Sequence, residues 1–300
     1  MLRSNIPNQQ LEDALPVLDA LIYDEYARQP DLLPFIFNMK TDASWGVQTT
    51  TVAGIKAAVQ KNEGENVEFD DPIEGFAKTY QHVTYAIACS FSQELVEYNR
   101  LSMVEDTYRS LGKAMFQTRQ VTGFGVINDG FTDTGPDSSS LFNTAHSMIG
   151  GHAYANRPAT EIALSIAGMR EMEVDVMRQV DHRNINIALM PTRIWAPPEL
   201  SQQLTELIGS PDRPDTANRA VNTFTYGGKK YMAVVSPFLT SASAWGALTD
   251  PTDHSLRFYD RITPQTETWQ DKPSGDINTK IRCRFVPSYS DFIGTWGTTG

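Results

Sequence analysis

The chain has 300 residues, of which 40% are hydrophobic and 20% are charged, proportions that are typical of a folded globular protein and exclude a disordered chain. Its net charge of −11 argues against a protein whose main work is binding phosphate backbones, because that work needs clustered Lys and Arg side chains. No apolar run approaches the roughly 18 residues of a membrane span, and the N-terminus lacks the apolar core of a secretory signal. We therefore expect no membrane contact.

The first forty residues combine a short amphipathic helix with an extended tail. Leu11, Leu15, Leu18 and Leu21 recur at helical spacing, and prolines at positions 16, 30 and 34 break the pattern. We interpret residues 1–40 as an arm and not as part of a domain core.

Residues 41–85 favour a long β-hairpin. Two β-rich runs, WGVQTTTVAGIKAAVQ and GFAKTYQHVTYAIACSF, flank the polar segment KNEGENVEFDDPIEG, which predicts a wide, mobile tip. The hairpin has few large apolar residues for its length, so it must lie against another surface to be stable.

A long helix is predicted after the hairpin. Apolar residues recur at helical spacing from Leu95 to Met115, and Ser92 is a suitable N-cap. The pattern predicts a helix over about residues 92–120 that ends near Gly123 and Gly125.

The rest of the chain mixes helix and strand signals. A loop-like, glycine-rich segment is followed by a predicted helix from Thr160, as its cap, to about Arg178. Further along, NINIALMP alternates like a strand, PPELSQQLTELIG predicts a short helix, and NTFTYGGKKYMAVVS predicts a hairpin with a Gly-Gly turn. Two long strands, SLRFYDRITPQTETWQ and NTKIRCRFVPSYSDFIGTW, close the chain.

Two histidines invite a search for chemistry. His146 and His152 are six residues apart among glycines, with no carboxylate or cysteine at the close spacing of a helical zinc motif. We therefore expect histidines that are hydrogen-bonded or exposed, and no metal site.

Other catalytic patterns are weak. GFGVINDG lacks the third glycine of a dinucleotide fingerprint, and no G-x-S-x-G nucleophile elbow occurs. Cys89 and Cys283 are the only cysteines and are predicted to be buried small hydrophobes. Glu94 and Glu97 share a predicted helical face, which on an acidic chain is usually a solvated one. We expect no catalytic residue, no cofactor and no enzyme activity.

Several stretches, taken in order, resemble a known family. They are EGFAKTYQHVTYAIACSFSQELVEYN with Ser92, Glu94 and Leu95; LFNTAHSMIGGHAYAN with Phe142, His146, Gly150, Gly151 and Asn156; NIALMPTRIWAPPEL; YMAVVSPFLTSASAWGALTDP with Pro237, Leu239, Trp245 and Asp250; and the closing LRFYDRI and TKIRCRFVPSYSDFIGTWG. In this order they resemble the major capsid proteins of tailed bacteriophages, which have the Hong Kong 97 fold, and within that group the Mu-type major head subunit.

The resemblance implies an α+β Hong Kong 97-like capsid fold. Its parts map onto an N-terminal arm at residues 1–40 and an extended β-hairpin loop at residues 41–85. A peripheral domain with the spine helix at about residues 92–120 takes residues 86–180 and 255–300, and an axial domain takes residues 181–254.

The same resemblance implies a function. The chain is expected to assemble with itself, through hexamers and pentamers, into an icosahedral phage head that encloses double-stranded DNA by weak nonspecific contact. Because only about 40 residues precede the hairpin, we expect a separate scaffolding protein, besides a portal and decoration proteins. The location is a virion capsid assembled in the cytoplasm of a bacterial host.

The arm and the extended loop are the expected assembly contacts, and deletion of residues 46 to 80 is expected to leave a folded core that forms no stable shell. The side chains we assign to these contacts are Trp45, Lys56, Lys61, Phe69, Phe76 and Tyr80. Two alternatives stay open: an encapsulin-like nanocompartment shell, and a metal-dependent hydrolase that uses the loop with His146 and His152.

Overall fold

The structure, a computed structural model, describes residues 18–92, 95, 101–211, 221–225, 231–271 and 273–300. Its helices are α1 at residues 18–28, α2 Leu33–Ile36, α3 Leu101–Asn128, α4 Ile166–Met177 and α5 Ser201–Gly209, with 3₁₀ turns at Asp129–Phe131 and Pro198–Leu200. Its strands are β1 Asn38–Thr41, β2 Gly46–Ala53, β3 Ile73–Gln81, β4 Val83–Phe91, β5 His146–Ser147, β6 Ala153–Tyr154, β7 Arg193–Ala196, β8 Met232–Val235, β9 Trp245–Leu248, β10 Arg257–Gln270, β11 Ile277–Ser288 and β12 Thr295–Thr298. None of the described helices is long and apolar enough to span a membrane.

The larger core lies between α3 and a four-stranded sheet of order β1-β10-β11-β4. The predicted pair of long closing strands is confirmed, because β10 and β11 are antiparallel partners. Two polar contacts join helix and sheet: Arg119 donates to both carboxylate oxygens of Asp260, at 2.6 and 2.7 Å, and the Tyr108 hydroxyl lies 2.5 Å from that of Thr279. These contacts fix which face of the sheet the helix covers.

The predicted long helix is confirmed as α3, but its predicted end is wrong. The helix continues past Gly123 and Gly125 to Asn128. A Cβ at Gly123 would collide with the Leu33 side chain, so this glycine permits close packing of α2 and does not end the helix. At the predicted start Leu95 is helical, while residues 93–94 and 96–100 lie outside the described part of the chain.

The N-terminal segment packs on α3. Residues 18–28 are helical, as the spacing predicts, and Leu18 and Ile22 are buried in the larger core. A Cβ at Gly112 would lie 2.5 Å from the Ile22 carbonyl oxygen, which shows how closely α1 approaches. The predicted part before residue 18, including its proline, lies outside the described residues.

The long hairpin is confirmed as β2 and β3, which pair antiparallel from Gly46 opposite Gln81 to Ala53 opposite Ile73. The second predicted run divides at His82, because the strand that follows, β4, joins the four-stranded sheet beside β11. The hairpin and the sheet are therefore connected through a single residue.

A second sheet, of order β12-β9-β7-β8, carries the smaller core with α4 and α5. Trp245 and Trp296 are fully buried there with ring centroids 5.1 Å apart, and such aromatic pairs add to the free energy of burial. The predicted short helix is confirmed as α5. The predicted helix at Thr160 begins only at Ile166, because Ser165 caps it by accepting the Gly168 amide at 3.1 Å.

Two predicted strand features are wrong. NINIALMP forms no strand: only the isolated bridge between Val180 and Asn186 is present there, and Asn184 and Ala188 have positive φ angles that interrupt an extended run. NTFTYGGKKYMAVVS is not a simple hairpin, because β8 pairs in parallel with β7, and residues 223–225 form a turn. The Gly-Gly pair itself lies outside the described residues.

Candidate assembly surface

The base of the β2–β3 hairpin is bound to the body of its own chain. The Tyr80 hydroxyl donates to the Tyr289 carbonyl at 2.8 Å, and the Thr51 hydroxyl donates to the Ser290 carbonyl at 2.6 Å. The Lys78 ammonium donates to the Thr134 carbonyl at 2.6 Å. Burial raises the pKa of Tyr80 to about 12, so its hydroxyl remains a donor across the physiological range.

The loop beyond the hairpin, residues 54–72, contains no strand and is tied down at one place. Arg183 donates to both Asp70 carboxylate oxygens, at 3.1 and 2.8 Å, and to the Asp71 carbonyl at 2.6 Å. The Lys56 amide donates to the same Asp70 carboxylate at 2.8 Å, and the Lys56 ammonium pairs with Glu68. Two arms of the loop are thus held together next to the body.

Apolar side chains are exposed along this hairpin and loop. Seven of the 18 exposed large apolar side chains in the described part of the chain lie between residues 45 and 73, so they form a concentrated surface and are not scattered singly. The most exposed is Phe69, at 92%. We call this set the loop surface, and its members are Trp45, Val52, Ile55, Val59, Val67, Phe69 and Ile73.

The residues predicted as assembly contacts fall into two groups. Trp45, Lys61 and Phe69 are exposed, whereas the Lys56 side chain is half-buried and paired with Glu68. The other two are partly buried against their own chain. Phe76 lines a small cavity together with Thr51, His146 and Tyr289, and the ring centroid of Tyr80 lies 6.3 Å from that of Tyr289.

His146 lies at the centre of a buried polar network. Its Nδ1 lies 2.6 Å from an Asp137 carboxylate oxygen, and its Nε2 lies 3.0 Å from Oδ1 of Asn156. The ring stacks on Phe292 with centroids 3.7 Å apart. The Asn156 amide nitrogen donates to the Leu141 carbonyl at 2.7 Å, which fixes the orientation of that side chain.

This arrangement does not equip His146 for catalysis or metal binding. Both ring nitrogens are occupied by side-chain oxygens of the same chain, at 2.6 and 3.0 Å, so neither is open to a metal ion or to a nucleophile. Burial by itself would raise the pKa of Asp137. The hydrogen bond and charge of His146 outweigh this effect, so the pKa of Asp137 lies below its usual value. The histidine therefore holds the loop together.

The second histidine of the motif does not join the first. The His152 carbonyl accepts the Met148 amide at 2.9 Å, but within the described residues the buried Nε2 of its ring has no hydrogen-bond partner. Among the same residues no group of three His, Cys, Asp or Glu side chains is placed to hold a metal ion. Within the described part of the chain, the loop with His146 and His152 therefore brings together no set of metal ligands.

Two anchoring residues were not found from the sequence. His182 Nε2 lies 2.8 Å from an Asp291 carboxylate oxygen, and its carbonyl accepts the Gly150 amide at 2.9 Å. The neighbouring Arg183 holds the loop through Asp70. His182 and Asp291 are 109 residues apart in the chain, and Arg183 and Asp70 are 113 apart, so no local spacing signals these two pairs.

The cysteines are placed as packing residues. Cys283 is buried and Cys89 is half-buried, on neighbouring strands. Burial raises the pKa of Cys283 to about 12 and also raises that of Cys89, so both remain thiols and are poor nucleophiles.

A family model for "Phage capsid protein" matches residues 76–296, which is most of the chain. No curated protein matches.

Solved structures share the fold at low sequence identity. The virus-like particle from Pyrococcus furiosus has a TM-score of 0.56 and 7% identity, over 94% of this chain and 98% of that one. The procapsid of bacteriophage JBD30 has a TM-score of 0.54 and 12% identity, over 97% and 75% of the two chains. The structure titled Microbacterium phage Oxtober96 has a TM-score of 0.53 and 12% identity, over 88% and 87%. At these identities the likeness establishes a Hong Kong 97-like fold.

Proposed function

The chain belongs to the phage capsid protein family, and on that premise we propose that it is a major capsid protein that assembles through hexamers and pentamers into an icosahedral shell around phage double-stranded DNA. The family match is the observation that carries this proposal. The shared fold agrees with it.

The physics of the loop surface supports self-assembly. A single chain leaves Phe69 and its apolar neighbours in water, and burial of such area releases roughly 25 cal/mol per Å². A head-to-tail contact between copies buries this surface once per subunit and closes into rings. We assign the contact to Trp45, Lys61 and Phe69 at the exposed part, with Lys56, Phe76 and Tyr80 supporting it from the hairpin.

The remaining parts of the proposal follow the resemblance. Residues 1–40 act as the arm, 41–85 as the extended loop, 86–180 with 255–300 as the peripheral domain, and 181–254 as the axial domain. A separate scaffolding protein, a portal and decoration proteins complete the particle, the subgroup is Mu-type, and assembly takes place in the cytoplasm of a bacterial host. The role is structural and not enzymatic.

The direct test is imaging of the purified protein by negative stain, with the mass distribution measured on the same sample. Hollow particles, or rings of five and six subunits, are the expected result. A uniform monomer at all protein and salt concentrations, and also after co-expression with the neighbouring structural genes, contradicts the proposal.

A more specific test uses a variant in which residues 47–80 are replaced by Asn-Gly. Gly46 and Gln81 are cross-strand partners, so a two-residue turn joins them without moving the sheet. We expect this variant to keep the circular dichroism of the body and to form no stable shell. Intact shells from it would show that the extended loop is dispensable.

A nanocompartment shell is the second candidate, favoured by the fold shared with the Pyrococcus furiosus virus-like particle. The two functions differ in what the shell contains. Nuclease-protected DNA in particles isolated from the native source supports the phage head, and a protein cargo without DNA supports the nanocompartment.

A further inference from the structure

A cavity of about 190 Å³ lies at the C-terminal end of α3, where the helix meets the second sheet. Its wall is formed by the end of that helix, by β7 and by the loop between β8 and β9. The apolar side chains in the wall are Ile127, Phe131, Leu239 and Ala244, and none of the described residues that line the cavity is charged. The cavity therefore suits a neutral and largely apolar molecule.

Two polar side chains of this wall are bound to the backbone around them. Asn128 donates to the Phe238 carbonyl at 2.9 Å and accepts the Thr240 amide at 3.0 Å. The Ser241 hydroxyl oxygen accepts the Ala244 amide at 3.2 Å. These bonds hold the loop between β8 and β9 against the end of α3, so the shape of the wall is fixed within the chain.

The indole of Trp195 also lines the cavity and has a free hydrogen-bond donor. Its Nε1 is buried and has no hydrogen-bond partner among the described residues. The ring is held in place by Phe142, with centroids 5.7 Å apart, and by β9, since a Cβ at Gly246 would lie 2.5 Å from Cζ2 of the indole. Because a buried N–H group without an acceptor costs free energy, a molecule that brings an acceptor to this nitrogen binds more tightly.

The volume limits the size of the occupant. An engineered apolar cavity of about 150 Å³ stays free of water and binds benzene. A cavity of about 190 Å³ with four apolar side chains in its wall therefore accepts a slightly larger ring compound, of about eight or nine heavy atoms, in preference to water.

We propose that this cavity is a binding site for a small, neutral aromatic carbonyl compound whose oxygen accepts a hydrogen bond from Trp195 Nε1. The aromatic ring packs against Ile127, Phe131 and Leu239. Because the wall joins the end of α3 to the second sheet, the bound molecule holds these two parts of the chain in one arrangement. The site does not rest on the proposed shell function, since a single chain supplies its wall.

The test uses acetophenone as the probe. The matched control ligand is α-methylstyrene, which has the same shape with a methylene group in place of the carbonyl oxygen. Isothermal titration calorimetry measures the affinity of the full-length, unassembled chain for each ligand, and NMR follows the indole N–H resonances. Trp195→Phe removes the donor and Ala244→Leu fills the cavity, while Ala242→Leu, at an exposed position of the same loop, is the matched control variant. Circular dichroism establishes that each variant is folded.

We expect acetophenone to bind about fivefold more tightly than α-methylstyrene, and Trp195→Phe to abolish that preference. Ala244→Leu is expected to weaken the binding of both ligands at least about tenfold, and Ala242→Leu to have no effect. If Trp195→Phe does not fold, the same bond is tested by one indole resonance that shifts with acetophenone, does not shift with α-methylstyrene, and is unaffected by either ligand in Ala244→Leu.

Equal affinity for the two ligands, or binding that Ala244→Leu leaves unchanged, overturns the inference. So does acetophenone binding that is present in unassembled chains and absent from assembled shells, because that result would assign the cavity to a side chain of a neighbouring copy.

Discussion

Replacement of Asn156 by Ala is the most direct test of the buried network around His146. The Asn156 side chain makes four hydrogen bonds: it accepts from the Asn143 amide at 2.9 Å and from His146 at 3.0 Å, and it donates to the Leu141 carbonyl at 2.7 Å and the Thr295 hydroxyl at 3.0 Å. Asn156 is fully buried, and Asn156→Ala removes all four of these hydrogen bonds.

The magnitude follows from the groups left behind. A buried polar group without a partner costs about 1–3 kcal/mol. Thr295 keeps its bond to the Phe292 carbonyl, so three groups lose their partner. Allowing for partial relaxation, we expect unfolding free energy to fall by about 3–5 kcal/mol.

Urea denaturation of the unassembled protein measures this loss, with Asn143→Ala as the matched control. Within the described residues the Asn143 side chain accepts one hydrogen bond, from the Ala145 amide at 3.2 Å, so its removal is expected to cost less than about 1 kcal/mol. A loss below about 1 kcal/mol for Asn156→Ala would refute the view that this network holds the loop together.

Further predictions concern the helix, the second sheet and the loop surface. Gly123→Ala is expected to destabilise the chain by about 1–3 kcal/mol through overpacking, whereas Gly125→Ala, which has open space, is expected to stabilise it by about 0.5–1 kcal/mol; equal effects in thermal melts contradict the packing argument. Burial lowers the pKa of His254 to about 4, so stability is complete above pH 6.5 and falls by up to about 3 kcal/mol as the pH drops to 4, a slope that His254→Asn should remove. Phe69→Ser is expected to leave melting unchanged and to reduce particle yield, while Phe76→Ala lowers melting as well; identical behaviour of the two variants counts against the distinction between exposed and supporting residues.

The spacing of apolar residues predicted which helices and strands form better than it predicted where they begin and end. The long helix and the closing strands follow from repeated apolar residues, and the structure has both. Gly123 was misinterpreted because a glycine in a helical pattern signals either an end or a close contact, and only the position of Leu33 distinguishes them. NINIALMP alternates correctly for a strand, but Asn184 and Ala188 adopt positive φ angles that no hydrophobic pattern records.

The candidate sites differ in how far apart their contacting residues lie in the sequence. Asn156 lies ten residues from His146 within the same motif, and Asp137 lies nine residues before His146, so hydrogen bonding of this histidine, one of the two expected outcomes, involves residues close in the sequence. The contact of Arg183 with Asp70 spans 113 residues and depends on how the loop folds back. No rule based on residue spacing predicts a contact over such a sequence separation.

The distribution of charge along the chain shows why a net charge is a poor guide to local surfaces. A net charge of −11 disfavours a basic surface, and the alternating cations near Arg282 look unremarkable in isolation. Along β11 Lys280, Arg282 and Arg284 alternate with buried residues, while residues 62–74 of the loop contain six carboxylates and no Lys or Arg. An acidic chain that segregates its charges in this way can attract its own copies at short range while its excess charge repels them at longer range, so shell assembly should pass through an optimum in salt concentration.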